Sequence, residues 1–395
     1  MSEASPSLTV GAVRESFPGE RRVALVPDTV SALAKKGMRC LLERGAGERA
    51  GFLDETYRAK GAEIAASRGD VFAKAGIIVG VRGLGANLQE GEADLPLMRK
   101  GQAIIALLEP LSEARSCRAL AQTGVRAFSM EMMPRITRAQ SMDVLSSMAT
   151  VAGYKAVLVA ANMLPRMFPL LMTAAGTVAP ARVLIIGVGV AGLQAIATAR
   201  RLGAVVSAYD IRPAVKEQVE SLGAKFVELP LETGDSETKG GYARAMDEEF
   251  YRRQRELMAS VAAESDVVIT TAAVPGKKAP ILVTSDVVKK MAPGSLIVDL
   301  AAERGGNCEL TKPGETVVAH GVTITGPLNL PATIPYHASQ MYAKNIQTFL
   351  LHLVKEGTLQ LNLEDEITAG TLITNDGQVV HPQVKALLGG APKAA

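Results

Sequence analysis

Four histidines and three cysteines in 395 residues leave little material for metal or thiol chemistry. Cys40, Cys117 and Cys308 stand far apart with no CxxC, so they read as reduced, mostly buried thiols of a cytosolic chain. No HExxH, Cys/His cluster or EF-hand loop occurs, and no metal is expected. GxSxG is missing, which removes the nucleophile-elbow hydrolases. GxxxxGK followed by Ser or Thr is also missing, which removes P-loop nucleotide hydrolysis. Charge of one sign is lacking too: 43 Lys and Arg face 40 Asp and Glu, for a net charge of +3, and the signs are interspersed. That excludes a nucleic-acid or membrane-surface patch. Met1 to Ser7 is polar, without the apolar core of a signal peptide. The most membrane-like stretch, Val151 to Pro180, is interrupted by Lys155, Arg166 and several Pro and Gly residues. No uninterrupted apolar run approaches the roughly 20 residues of a spanning helix. The expectation is a chain not inserted in a membrane.

What is present is an ordinary globular composition, 48% apolar and 21% charged, long enough for two or three domains. The informative stretch runs from Arg182 to Arg212. Val183 to Ile186 is a short apolar run of the kind buried in a parallel sheet. Gly187, Gly189 and Gly192 follow it directly. Leu193 to Leu202 then reads as a helix stopped by Gly203, and Val205 to Tyr209 as a second strand. In such a strand–turn–helix–strand unit the first glycine permits the tight turn. The second lets backbone N–H groups approach a pyrophosphate, and the third lets helix and strand pack closely. The helix N-terminus adds unpaired N–H groups and a positive dipole end. Asp210 closes the second strand, where a carboxylate accepts hydrogen bonds from an adenosine ribose and repels a 2′-phosphate, favouring NAD over NADP. Arg212, two residues on, is a group that can accept a 2′-phosphate and so weakens that preference.

Elsewhere β and α segments alternate. Strands are expected at Leu8–Val13, Arg39–Glu43, Ala75–Val81, Ala103–Leu108 and Val125–Ser129, with helices at Thr29–Lys36, Glu55–Lys60 and Ser112–Gln122. This pattern implies a parallel sheet with helices on both faces. A long helix begins near Val144. Pro230 to Ala245 is glycine-rich and poor in core residues, and reads as a long functional or mobile loop. Further strands are expected at Lys225–Leu229, Val267–Thr271, Ser295–Leu300 and Val322–Thr325. A second long helix is expected at Ala338–Lys355. A strand from Gly370 to Thr374 should lead into a hairpin around Asn375-Asp-Gly377. The fold class is therefore α/β: two Rossmann-like, doubly wound parallel-sheet domains linked by long helices. Residues 144–327 form the dinucleotide-binding domain, inserted into an N-terminal domain (1–143) that the C-terminal segment (328–395) completes.

A dehydrogenase of hydroxy or amino acids needs a proton-transfer group, usually His or Lys. His320, His337, His352 and His381 are the only histidines, and none stands out; His352 reads as a surface residue on a helix. The polar segment Arg135-Ile-Thr-Arg-Ala-Gln140-Ser-Met-Asp143 falls at the expected domain junction. A Gln can fix a nicotinamide carboxamide through two hydrogen bonds, and an Arg and an Asp can orient its ribose. The same residues read equally well as a solvated helix N-terminus with Asp143 or Ser141 as its cap.

Four segments together resemble one family: Arg135–Asp143, Gly187-Val-Gly-Val-Ala-Gly-Leu-Gln194, Val274-Pro-Gly-Lys-Lys-Ala-Pro280 and Ala302-Glu-Arg-Gly-Gly-Asn-Cys308. The chain, over about residues 8 to 382, resembles the NAD(H)-binding domain of proton-translocating nicotinamide nucleotide transhydrogenase, whose superfamily also contains alanine dehydrogenase. The resemblance implies that Arg135, Gln140, Asp143 and Ser146 act at the nicotinamide. It implies coenzyme contacts at Gly187, Gly189, Val190, Gly192, Asp210, Ile211, Arg212, Gly241, Gln254 and Ala273, with Tyr242 on a mobile loop that closes over nucleotide. It also implies NAD(H) here and NADP(H) only on a partner subunit. The activity would be Si–Re-type hydride transfer from NADH to NADP⁺, requiring partner subunits and coupled to proton movement through membrane-spanning ones. The implied assembly is a homodimer, cytoplasmic and peripheral on the inner face of a bacterial membrane. The competing readings are an alanine or other amino-acid dehydrogenase, and an NAD-sensing binding module without catalysis. Against the dehydrogenase, this chain has Arg82 where that enzyme has a Lys and Glu109 where it has its catalytic His, although the substrate-binding Arg persists as Arg22.

Overall fold

The computed structural model describes residues 8–228, 248–272 and 278–389. The chain divides into two compact units: residues up to Met148 together with those from Pro331 onward, and Ala149–Leu330.

The first unit opens with β1 (Thr9–Ala12), β2 (Arg39–Glu43), β3 (Glu63–Ala65), β4 (Ile77–Arg82), β5 (Ala103–Leu107) and β6 (Arg126–Ser129). The second unit supplies a short hairpin, β7 (Leu171–Thr173) and β8 (Gly176–Val178). Its main sheet holds β9 (Arg182–Ile186), β10 (Val205–Tyr209), β11 (Lys225–Phe226), β12 (Val267–Thr270), β13 (Leu296–Asp299), β14 (Thr316–Ala319) and β15 (Val322–Thr325). The chain returns to the first unit with β16 (Val354–Lys355), β17 (Thr358–Leu359), β18 (Leu372–Asn375) and β19 (Gln378–Val379).

The first sheet has the order β19-β18-β6-β5-β4-β1-β2-β3, and the second β11-β10-β9-β12-β13-β15-β14. In the first, β1 to β6 are parallel and β18 and β19 extend the edge antiparallel. In the second, only β14 runs antiparallel. Each order reverses direction beside its first strand, between β1 and β4 and between β9 and β12. That is the switch point at which the carboxyl ends of open α/β sheets bind ligands. Both sheets are apolar through: Ile77, Val79, Ile105 and Phe128 in one and Leu184, Ile185, Val268 and Val298 in the other are fully buried, as strands covered on both faces must be. The α/β class with two doubly wound sheets is as expected.

Several elements differ from expectation. Two helices start earlier than the sequence pattern suggests, at Pro27 and Pro335, because proline suits the first helical position, where no N–H partner is needed. β3, the helix Arg68–Lys74 and the β7–β8 hairpin are additions to the expected pattern. The Arg68 helix is announced by a capping box, in which Ser67 Oγ accepts from Asp70 N and Asp70 accepts from Ser67 N, each at 3.2 Å. The expected strand from Gly370 begins instead as a helix, Glu366–Thr371, capped by Asp365. The expectation about apolar length is also corrected: the helix Val144–Met163, 20 residues, is by length and composition apolar enough to cross a membrane. Lys155 and Gly153 interrupt the apolar run but not the helix. In this fold Ala156, Val157 and Ala160 of that helix are fully buried in the core of the second unit. The Pro230–Ala245 loop and most of the Val274–Pro280 turn lie outside the described residues.

Candidate functional site

β9 delivers the glycine-rich turn in the second unit. Gly187 sits at φ +95°, a conformation that only glycine adopts cheaply. A Cβ at Gly192 would lie 2.0 Å from Gly187 O, so the third glycine is demanded by the closeness of strand and helix. The helix Val144–Met163 presses in from another side, where a Cβ at Gly153 would meet Ala191 O at 2.1 Å. Gly189 is different: a Cβ there would meet nothing within 4 Å. Packing does not require this glycine, and its bareness leaves room for a ligand against the backbone. Gly189 is also the N-cap of the helix Val190–Arg201, which has no side-chain cap and no acid in its first turn, while Arg200 and Arg201 close its last turn. The helix dipole is thus matched at its C-terminus and left for an anion at its N-terminus. These features fit a dinucleotide pyrophosphate.

At the end of β10, Asp210 is buried and takes four donors. Val188 N (2.7 Å) and Arg212 Nη2 (3.0 Å) reach Oδ2, and Arg212 N and Nε (2.9 Å each) reach Oδ1. Arg212 also donates to Val188 O at 3.2 Å. This corrects the view of Arg212 as a separate phosphate acceptor: its guanidinium folds back on Asp210, and the pair presents a neutralised surface. A ribose hydroxyl would reach Asp210 by replacing one of these donors. Ile211 is half-buried beside the pair. Gln254 is buried, donates from Nε2 to Tyr209 Oη at 2.8 Å, and has no donor to its Oε1 among the described residues. Val190 is 36% exposed at the start of the helix. Gly241, Tyr242 and Ala273 lie outside the described residues.

The Arg135–Asp143 segment belongs to the first unit. Thr137–Met142 forms a 3-10 turn anchored by buried Ala139 and Met142, while Arg135 and Gln140 are exposed. Asp143 accepts from Ser146 N at 2.9 Å and Ser146 Oγ at 2.6 Å, so it does cap the long helix. Asn345 Nδ2 holds Ser141 O at 2.9 Å, and Arg138 donates twice to Asp365 Oδ2 at 3.1 Å. Asp365 also bonds His352 Nε2 at 2.9 Å, so His352 is a half-buried partner of an acid rather than a solvated surface residue. His320 and His337 are exposed.

A cluster that sequence reasoning missed occupies the carboxyl ends of β1 and β4. Glu20 is fully buried and Arg22 is 3% exposed; Arg22 Nε and Nη2 clasp the two Glu20 oxygens at 2.8 and 2.6 Å. Arg82 Nε reaches Glu20 Oε2 at 3.3 Å, and the Arg82 guanidinium lies 4.3 Å from the Phe17 ring centre. Glu15, also buried, accepts from Val81 N at 2.6 Å and Arg82 N at 3.1 Å, and burial pushes its carboxyl up to about 7. Nearby, Glu131 accepts from Leu108 N (2.7 Å), Glu109 N (2.5 Å) and Ser129 Oγ, and burial raises it to about 7 as well. Glu109 is held at φ +47° at the end of β5. Arg22 is therefore not an open fork for a substrate carboxylate, because a carboxylate of the chain already fills it. Among the described residues no group of three or more His, Cys, Asp or Glu is placed to hold a metal ion.

Residues 11–152 match the family described as alanine dehydrogenase/PNT, N-terminal domain, and residues 156–382 match its C-terminal domain. The first of the separately encoded pieces of NAD(P) transhydrogenase subunit alpha from Rhodospirillum rubrum is 48% identical over 372 residues, 93% of this chain and 97% of that one. A solved transhydrogenase from Sinorhizobium meliloti superposes with a TM-score of 0.82 at 42% identity, covering 95% of this chain and 99% of that one. A solved L-alanine dehydrogenase gives 0.79 at 27% identity, covering 96% and 99%.

Proposed function

Since this chain belongs to the alanine dehydrogenase/PNT family, we propose that within it the chain is the NAD(H)-binding subunit of a Si–Re-type proton-translocating NAD(P) transhydrogenase. The observation that carries the choice between the family's two activities is the Arg22–Glu20 clasp. An amino-acid dehydrogenase must seat a small acid beside the coenzyme and move protons on it. Here the cation that would seat the acid is neutralised internally, and Arg82 and Glu109 stand where the resemblance expects a lysine and a histidine. Hydride transfer between two nicotinamides needs neither acid seat nor proton shuttle; it needs close, aligned and water-sheltered rings.

NAD(H), when bound, supplies the hydride. The chain's own residues bind and orient it. The Gly187–Gly192 turn and the open helix N-terminus take the pyrophosphate; Val190, Asp210, Ile211, Arg212 and Gln254 take the adenosine end. In this reading Arg135, Gln140, Asp143 and Ser146 orient the nicotinamide, with Ser146 and Asp143 already bonded to each other, and Gly241, Tyr242 and Ala273 complete the enclosure. The hydride acceptor, NADP⁺, sits on a partner subunit, and proton movement belongs to membrane-spanning subunits to which this chain attaches peripherally on the cytoplasmic face. A homodimer is supported by the β7–β8 hairpin, where Leu170, Met172 and Val178 are 53%, 80% and 41% exposed, an apolar surface that a second copy would cover.

The test is hydride transfer. Mixed with an NADP-binding transhydrogenase domain, the chain should move hydride from NADH to an NADP⁺ analogue, and alone it should turn over neither this pair nor pyruvate with ammonia. Amination of pyruvate by the pure chain would replace the reading with the dehydrogenase one.

A further inference from the structure

Two of the segments that carry the family resemblance, Val274–Pro280 and Ala302–Cys308, contribute little to the site as described. The second unit joins them through one carboxylate. Asp299, at the end of β13, is fully buried and takes five donors among the described residues. Thr270 Oγ1 (2.9 Å) and Ala301 N (3.0 Å) reach Oδ1; Asn307 N (2.8 Å), Cys308 N (3.0 Å) and Thr311 Oγ1 (2.7 Å) reach Oδ2. The chain can bend back to it because Gly305 and Gly306 stand at φ +94° and +82°, and a Cβ on Gly306 would lie 2.7 Å from Asp299 Oδ2.

This bend delivers Asn307, itself fully buried, with both hydrogens of its amide in use: Nδ2 donates to Ala272 O and to Pro280 O, each at 2.8 Å. In sequence those carbonyls bracket the residues that follow β12. One end of the clamp borders the glycine-rich turn. Thr271 Oγ1 donates to Gly187 O at 2.8 Å, and a Cβ on Gly187 would lie 3.0 Å from Ala272 N. The amide of Asn307 therefore fixes the strand end that forms the wall beside the first glycine. Asn307 Oδ1 has no donor among the described residues, so the side chain is oriented by its two donated bonds.

We propose that Asn307 is a positioning residue for NAD(H): it holds Thr271–Ala272 against Gly187 and so sets the width of the space that receives the coenzyme. The inference rests on the NAD(H)-binding reading above. Tight binding requires the contacting wall to be held by residues behind it, and Asn307 is placed to act through that wall without touching ligand.

The test uses the whole chain and titrates it with NADH, alongside thermal unfolding. Asn307→Asp keeps the shape and removes both donors; Asn307→Ser keeps one. The serine variant should bind NADH about tenfold more weakly and the aspartate variant more weakly still, both well below their unfolding temperatures. With the NADP-binding partner, KM for NADH should rise while kcat at saturation changes little. A merely structural role would lower the unfolding temperature and leave the NADH affinity of the folded chain unchanged, and that result overturns the proposal. If neither variant folds, Thr271→Val decides. It removes only the hydroxyl bond to Gly187 O, with weakened NADH binding expected and unchanged affinity contradicting the proposal. Wild-type chain that fails to bind NADH would bring down the function itself; wild-type binding with unaffected variants brings down this inference alone.

Discussion

The two sheets reverse direction in the same way beside their first strands, and the two switch points are filled in opposite ways. Beside β9 the chain places glycines, an uncapped helix N-terminus and open space at Gly189. Beside β1 it places Glu15, Glu20, Arg22 and Arg82, which bond one another and the backbone. Topology provides a crevice in both units, and the residues after the first strand decide whether it takes a ligand or is closed by the chain itself. The closed one depends on ion pairing and the open one on the absence of side chains, so the two should fail differently.

The largest effect is expected where the open switch point is filled. Gly192→Val pushes a branched side chain into Gly187 O and should abolish NADH binding and lower the unfolding temperature together. Gly189→Ala, with free space around its new methyl, should leave the unfolding temperature unchanged and weaken NADH binding about tenfold. Loss of stability in the second variant would break the contrast between glycines required by packing and glycines required by ligand.

Next comes the closed switch point. Glu20→Ala strands the Arg22 guanidinium without its carboxylate and should cost about 3–5 kcal/mol in chemical unfolding. Replacing Glu20 and Arg22 together with apolar residues of similar volume should recover most of that loss, and NADH binding should follow wild type in both. A double variant as unstable as the single would show that the pair does more than neutralise itself.

A smaller effect is a pH dependence. Glu15 is raised by burial from 4.5 to about 7, so the folded chain favours its protonated form. Its contribution is fully present below 4.5, falls as pH rises towards about 7, and is constant above. Glu15→Gln should therefore stabilise the chain by on the order of 3 kcal/mol on the alkaline side and by little on the acid side, which flattens the profile. Glu131 should leave a second slope of the same sign. The smallest effect is Arg138→Ala: its pair with Asp365 has the arginine side chain 61% exposed, and removal should cost less than about 1 kcal/mol and less again in high salt.

Legibility in the sequence follows the same divide. The turn at Gly187, its helix and the acid at Asp210 are a local pattern, in which each residue's neighbours in the chain are its neighbours in space. The Asn375-Asp-Gly377 hairpin is readable for the same reason, with Asp376 and Gly377 at φ +48° and +77°. The cluster at Glu15 and Glu20 is not, because residues 14–20 look like any polar turn, and only the arrival of β4 and Tyr342 buries them. Arg212 misleads because sequence shows its distance from Asp210 but not the direction in which its side chain folds. Asp299 and Asn307 give a motif without a mechanism: their partners at Thr270, Ala272 and Pro280 are 27 to 35 residues away. The β7–β8 hairpin escapes because its strands are short and exposed and carry no alternation to read.

The most direct test of the central claim is calorimetry on the whole wild-type chain, titrated first with NADH and then, at saturation, with pyruvate. The account predicts one NADH bound per chain and no heat from pyruvate, because one switch point is open to a dinucleotide and the other is occupied by Glu20. Saturable pyruvate binding, or no binding of NADH, would contradict it.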